Sequence, residues 1–356
     1  MFKIVFFNHK GGVSKTTTTY HLGWMLAILG KKVLVVDGDP QCNLTSLILG
    51  DDFDDYYTQD ATKNQNIKDG VKVAFEGKPY PIEAVTCRNP SNNSNLFLLA
   101  GHPNLSEYDA SLSFAQTSNN ALTTLMNLPG AFNELITKTC EKYEIDIVLI
   151  DLNPGLSAIN QNLFTLCDAF IIPTNPDPFC IMAIKSLATV LPRWVKWTDN
   201  MRNVYFEAGA TYQLSNSRPR FIGEIIQRYN IRKGSAARPF QGSINEIKQV
   251  VSQTFVPAMK QNNMLFDDEL YKSANIPIDY CFAEIPDFQS ILQKANEAGV
   301  PLFTLTDSQL NVTGPVLDGP NGLKVKRQEF YDLFLRLANQ IITIVEYAAN
   351  PQSVLV

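Results

Sequence analysis

Residues 8–19 read NHKGGVSKTTTT, and this stretch decides the fold. It follows the apolar run KIVFF at residues 3–7 and opens residues 16–29, where Leu22, Met25, Leu26 and Leu29 recur at helical spacing. The order is therefore strand, glycine loop, helix, the context in which such loops hold phosphate. Gly11 and Gly12 permit backbone angles and a close approach that a Cβ would block, so the successive N–H groups from Gly11 through Val13 and Ser14 can face a polyphosphate. The helix N-terminus adds its partial positive charge. Lys15 then stands where its ammonium bridges β- and γ-phosphates, Thr16 where its hydroxyl reaches Mg2+, and Thr17 on the α-phosphate side.

Outward from the loop the same alternation continues. Gly30 ends the helix, and VLVV at 33–36 is apolar throughout, as befits a parallel strand covered on both faces. Residues 145–150 read as strand, 158–166 as helix, 169–172 as strand, 181–195 as helix, 221–226 as strand and 244–256 as helix. This rhythm predicts an α/β fold, a doubly wound and mostly parallel sheet flanked by helices. The expectation is a single domain over 1–356, with surface insertions at 51–95, 200–218 and 304–324 and a packing helix at 328–348.

Composition narrows the function. No apolar run approaches the roughly 18–20 residues of a membrane span, and the start of the chain lacks the pattern of a secretory leader, so a cytoplasmic location is expected. Cys42, Cys87, Cys140, Cys167, Cys180 and Cys281 are scattered without the close pairs of a zinc or redox site. A net charge of −5 argues against a protein that coats nucleic acid over its whole surface.

HKGGVSKTTTT at 9–19, VVDGDPQCNLT at 35–45 and IDIVLIDLNPG at 145–155, in that order, resemble the ParA/Soj and MinD group of deviant Walker ATPases. The resemblance implies a P-loop NTPase fold of the SIMIBI type, with ATP and Mg2+ as cofactors and a homodimer formed on ATP binding. Lys10 matches the family's signature lysine, which reaches the partner's phosphates and clamps developing negative charge. With Lys10 and Lys15, Asp39 completes the catalytic set by orienting the attacking water; Asp37 supports the metal shell and Asp151, as the Walker B carboxylate, holds Mg2+ together with Thr16. Gln227, Pro286 and Asp287 match places where relatives contact adenine. The NPG turn at 153–155 departs slightly from the family form.

Relatives of the ParA type bind duplex DNA non-specifically and act with a ParB-like or other adaptor that stimulates hydrolysis. Between residues 218 and 238 stand Arg218, Arg220, Arg228, Arg232, Lys233 and Arg238 against Glu224 alone, and Arg193 extends this basic stretch. Against a DNA role, the segment PDFQSILQ at 286–293 carries no base. The leading expectation is a slow, partner-stimulated ATPase switch that holds DNA in its ATP state and positions a cargo. The alternatives are a MinD-like membrane-positioning ATPase, which the uncharged tail NPQSVLV at 350–356 disfavours, an iron-protein-like enzyme, and a nucleotide sensor in a defence or other multiprotein system.

Overall fold

The structure, a computed structural model, describes residues 1–117, 125–232, 235–236 and 238–349. Its strands in chain order are β1 (Phe2–Phe6), β2 (Val33–Gly38), β3 (Leu96–Leu99), β4 (Ile147–Leu152), β5 (Ala169–Thr174), β6 (Arg220–Tyr229), the two-residue β7 (Ile231–Arg232) and β8 (Ser235–Ala236), and β9 (Cys281–Pro286). Seven of these form one sheet in the order β3-β2-β4-β1-β5-β6-β9. Every pairing within it is parallel, while β7 and β8 make a separate antiparallel pair.

Alternation along the strands splits the core between the two faces of the sheet. Val5, Leu34 and Val36 look one way, onto a cluster with Phe132, Leu187 and Phe255; Ile4, Val33 and Val35 look the other way, onto a cluster with Leu22, Met25, Phe334 and Ile341. The loop helix, Lys15–Ile28, and the C-terminal helix, Leu323–Ala349, lie on the second face. The long helix Pro178–Glu207 covers the first, and Pro192 inside it does not end it.

Several segments differ from the sequence expectation. Residues 51–95 contain the helix Ile67–Phe75, whose Ile67, Val71 and Ala74 are buried in the first-face core with Ile82 and Val85; its Asp- and Asn-rich flanks hid that face. The long helix runs to Glu207, well into 200–218, because Tyr205 turns inward to donate to the carbonyl of Ala115 at 3.0 Å. The C-terminal helix begins at Leu323 rather than 328, so the end of 304–324 belongs to it. β3, β9 and the helix Leu128–Tyr143 were not read at all. The strands are short, and the helix carries Pro129 and Gly130 in its first turn.

Chain order reverses at the middle of the sheet: β1 lies between β4 and β5, and β2 beyond β4. The loops after β1, β2 and β4 therefore open at one edge, the crevice in which open α/β sheets bind ligands. Register brings the carboxylates together there, with Asp37 opposite Asp151 and Phe6 opposite Asp151 on the other side.

Candidate nucleotide site

Asn8, at the end of β1, is fully buried and anchors the loop from both ends of its amide. Its Nδ2 donates to the Pro173 carbonyl at 2.9 Å, and its Oδ1 accepts from the Lys10 N–H at 3.0 Å. Gly12 then takes φ +72°, and Ser14 φ +57° just before the helix. Left-handed residues interspersed in a short loop turn successive N–H groups into one concavity. Among the described residues, no hydrogen bond to protein is donated by the N–H of Gly11, Gly12, Val13 or Ser14. These amides line a cavity of about 660 Å³, within the range that holds small ligands.

Lys15 is buried at the base of this loop, its ammonium donating to the carbonyls of Asn8 at 3.1 Å and Lys10 at 3.3 Å. Burial lowers its pKa, while Asp151 and Asp39 pull the other way.

The carboxylates divide their work. Asp37 is fully buried and accepts from the Thr45 N–H at 2.8 Å, the Thr45 hydroxyl at 2.7 Å and the Asp39 N–H at 3.1 Å. Burial pushes its pKa up to about 6, against these hydrogen bonds. It does not line the cavity; it anchors the turn that carries Asp39, which does. Asp39 Oδ1 in turn accepts from the Gln41 N–H at 2.9 Å. Asp151 accepts the Thr16 hydroxyl on Oδ2 at 2.6 Å, whereas its buried Oδ1 has no partner among the described residues. Burial first, and Asp37 second, hold the Asp151 carboxyl well above the usual range. An orphaned carboxylate oxygen beside a threonine hydroxyl fits a hard divalent cation such as Mg2+.

The opposite wall is formed by Arg228, Asp287, Phe288, Gln289 and Leu292. Of the three residues expected at adenine, only Asp287 lines the cavity. Pro286 ends β9 behind it, and Gln227 is fully buried beneath the loop, its Nε2 donating to the Val13 carbonyl at 3.3 Å. Phe288 was missed in the sequence; it stacks 5.8 Å from His21 of the loop helix, at 12° between planes. The signal was available, since PDFQ follows a strand end as ligand loops do.

Lys10 is held within its own chain. Its ammonium pairs with Asp177, approaches Cys180 Sγ at 3.6 Å and sits 5.7 Å from the Phe179 ring. Phe179 and Met182 beside it, with Leu156 after the NPG turn, are exposed apolar side chains.

The basic stretch does not form one patch. Arg218 and Arg220 stand at the start of β6 and Arg228 near its end, a separation of roughly 26 Å at the usual rise of an extended strand. Arg218 is also committed to Asp199 and to the Asn262 carbonyl, and Arg220 lies over Phe266. Arg228 turns into the nucleotide cavity, donating to the Gly12 carbonyl at 2.9 Å. Arg193 is exposed on the long helix. Lys233 lies outside the described residues, as does the tail at 350–356, and of Arg232 and Arg238 only the backbone is described.

All six cysteines are buried and free. Among the described residues no group of three His, Cys, Asp or Glu side chains could hold a metal ion. One helix, Pro178–Glu207, is long and apolar enough to cross a membrane, but 56% of its apolar window is buried against the rest of the fold, as suits a core helix.

The AAA domain family (AAA_31) matches residues 1–202. The chromosome-partitioning ATPase Soj of Thermus thermophilus is 29% identical over 194 residues, 53% of this chain and 61% of that protein. Among solved structures, Cyanothece McdA in an ATP complex superposes with a TM-score of 0.56 at 18% identity, covering 94% of this chain and 96% of McdA. ParA of pNOB8, solved bound to nonspecific DNA, gives 0.50 at 15% identity, covering 99% of each chain. The chain spans about half to three-fifths of the length of the first curated relatives it matches.

Proposed function

This chain belongs to the AAA-domain family and is a ParA/MinD-type P-loop ATPase, and from that premise we propose that it binds MgATP, dimerises on it and hydrolyses it slowly as a positioning switch. The observation that carries the reading is the ring of free amides at Gly11–Ser14, closed by buried Lys15 and faced by Asp39. Amides without acceptors around a lysine are complementary to an anion, and successive ones along a loop suit a polyphosphate.

In this reading the loop amides and Lys15 bind the β- and γ-phosphates, Lys15 leaving the carbonyls of Asn8 and Lys10. Thr16 and Asp151 would hold Mg2+, which would supply positive charge to neutralise the phosphate oxygens. Asp37, through the Asp39 N–H and Thr45, keeps the Asp39 carboxylate aimed into the cavity, where it orients the attacking water. The exposed apolar side chains Leu156, Phe179 and Met182 around Lys10 support a second copy of the chain as the dimer partner. Lys10 then exchanges Asp177 for the partner's phosphates.

Nonspecific duplex DNA is the proposed ligand of the ATP dimer, with a ParB-like or other adaptor as the stimulator of hydrolysis and a nucleoid-associated location. What supports it is the likeness to Soj and to the ParA solved with nonspecific DNA. Arg193, Arg232, Lys233 and Arg238 remain its proposed contacts; Arg218, Arg220 and Arg228 do not, since Arg218 pairs with Asp199, Arg220 lies over Phe266 and Arg228 donates to the Gly12 carbonyl. Mass measurement with ATP and with ADP, paired with DNA retention at low and moderate salt, tests the reading. ATP-specific dimers that retain DNA in a salt-sensitive way are expected. A monomer under both nucleotides would refute the switch.

A further inference from the structure

The end of β6 reaches the phosphate loop at two consecutive peptide groups. Arg228 Nη1 donates to the Gly12 carbonyl at 2.9 Å, Asn175 Nδ2 donates to the same oxygen at 3.0 Å, and Gln227 Nε2 donates to the Val13 carbonyl at 3.3 Å. The Gln227 amide is itself oriented from the loop helix, since the Thr18 hydroxyl reaches its Oε1 at 3.1 Å. Arg228 adopts φ +59°, a left-handed backbone that a non-glycine residue holds at a cost. That twist coincides with a break in the β6–β9 register between Gln227 and Tyr229, and it delivers the guanidinium to Gly12.

We infer that Gln227 and Arg228 form a latch that presets the phosphate loop, making them positioning residues for polyphosphate binding. The reason is the planarity of the peptide group. In a trans peptide the C=O and the following N–H point in opposite directions. Drawing the Gly12 carbonyl toward Arg228 and Asn175 therefore turns the Val13 N–H the other way, and drawing the Val13 carbonyl toward Gln227 does the same for the Ser14 N–H. Those two N–H groups are among the four without a protein acceptor. A free loop of this kind, with a glycine at φ +72°, would otherwise divide its time between flipped and unflipped peptides. The latch removes that ordering cost before the anion arrives. It also gives the two residues after the apolar core of β6 a shared role in place of the separate adenine and DNA roles expected from sequence.

This inference rests on the nucleotide site proposed above, and the test separates the two. Full-length protein is titrated calorimetrically with two probes, MgADP and pyrophosphate, as wild type, Arg228→Asn, Arg228→Lys, Asn175→Ala and the Arg228→Asn/Asn175→Ala double variant. Asparagine tolerates left-handed backbone, so the fold at residue 228 is kept, and thermal melting checks it. Arg228→Asn is expected to weaken both probes by the same factor, about tenfold for one charged hydrogen bond, with Arg228→Lys recovering part of the loss. Because two donors share one carbonyl, the double variant should deviate from the product of the singles. Equal binding by wild type and all variants would overturn the latch and leave the site standing. Loss confined to MgADP would overturn it too, by placing Arg228 on the nucleoside. Failure of the wild type to bind either probe would sink the site itself.

Discussion

Glu224 provides a test of the fold that is independent of the nucleotide. It sits in the middle of β6, is fully buried, and neither carboxylate oxygen has a partner among the described residues. The charged groups around it are Asp279, Lys248 and Glu284, and Lys248 is already taken by Glu284 at 2.7 Å and Asp279 at 3.4 Å. Burial raises the Glu224 pKa well above its ordinary value, Asp279 adds to the rise, and Lys248 opposes it. The folded state thus holds a proton that the unfolded chain releases. For a raised carboxyl, the stabilising contribution is full below the unfolded value of about 4.3 and is lost as pH climbs toward the folded one.

Glu224→Gln keeps the shape and removes the titration. At pH 8 it should gain on the order of 1–3 kcal/mol relative to wild type, because the glutamate, unlike the glutamine, must hold on folding a proton that the unfolded chain has released, at about 1.4 kcal/mol per unit of pKa rise. For 356 residues an unfolding entropy of roughly 2.1 cal/mol/K per residue converts this into a melting-temperature rise of about 1–4 °C. The gain should shrink as pH falls through the unfolded value of about 4.3 and approach zero below it, where the carboxyl is protonated in both states. Thermal melts of the two proteins between pH 4.5 and 8.5 provide the measurement. A difference that does not change with pH, or a variant less stable than wild type at pH 8, would refute the assignment of Glu224 as a buried, proton-holding group.

Other outcomes follow from the site. Lys10→Ala should leave MgADP affinity within about twofold, since its ammonium faces Asp177 and not the cavity, while abolishing the ATP dimer by light scattering; a variant that still dimerises and hydrolyses ATP rejects the cross-subunit role. Asp39→Ala should slow hydrolysis by roughly 100-fold or more without loss of ATP affinity, so the dimer persists; unchanged turnover in a phosphate-release assay would contradict it. Chelating Mg2+ should weaken ATP binding far more in wild type than in Asp151→Asn, whose metal ligand is already gone, and equal effects in calorimetry would dissociate Asp151 from the metal. Gly130→Ala places a Cβ 2.0 Å from the Tyr212 carbonyl oxygen. It should cost about 1–3 kcal/mol in denaturant melts as the neighbouring backbone shifts, and a neutral result would put the 210–213 segment elsewhere.

The loop, its helix and the two acidic strand ends were legible because each is local. A glycine pair between an apolar run and a 3.6-residue period, or an aspartate closing VLVV, needs no knowledge of distant residues. That basis puts Lys15, Thr16 and Asp39 beside the loop and Asp151 within reach of Thr16, where the structure has them, and the parallel sheet follows from strands apolar on both faces. β9, CFAEIP, is interrupted by Glu284 and ends in a proline, so it does not read as a buried strand, and β3, LFLL, follows an Asn- and Ser-rich stretch with no glycine loop or acidic strand end to mark it. In each case, pairing with a neighbour far along the chain supplies what propensity does not.

Charge was where sequence alone misled. Six basic residues within twenty-one positions look like one surface, yet a ten-residue strand sets Arg220 and Arg228 at its opposite ends. Only the tertiary structure could decide that Arg218 serves Asp199, that Arg228 serves the Gly12 carbonyl, and that Gln227 lies under the phosphate loop instead of beside a base. Local spacing sets which backbone a segment prefers and hence where amides and carboxylates emerge. Which distant partner claims a long flexible side chain depends on packing and on competing hydrogen bonds, and these exist only once the sheet is assembled.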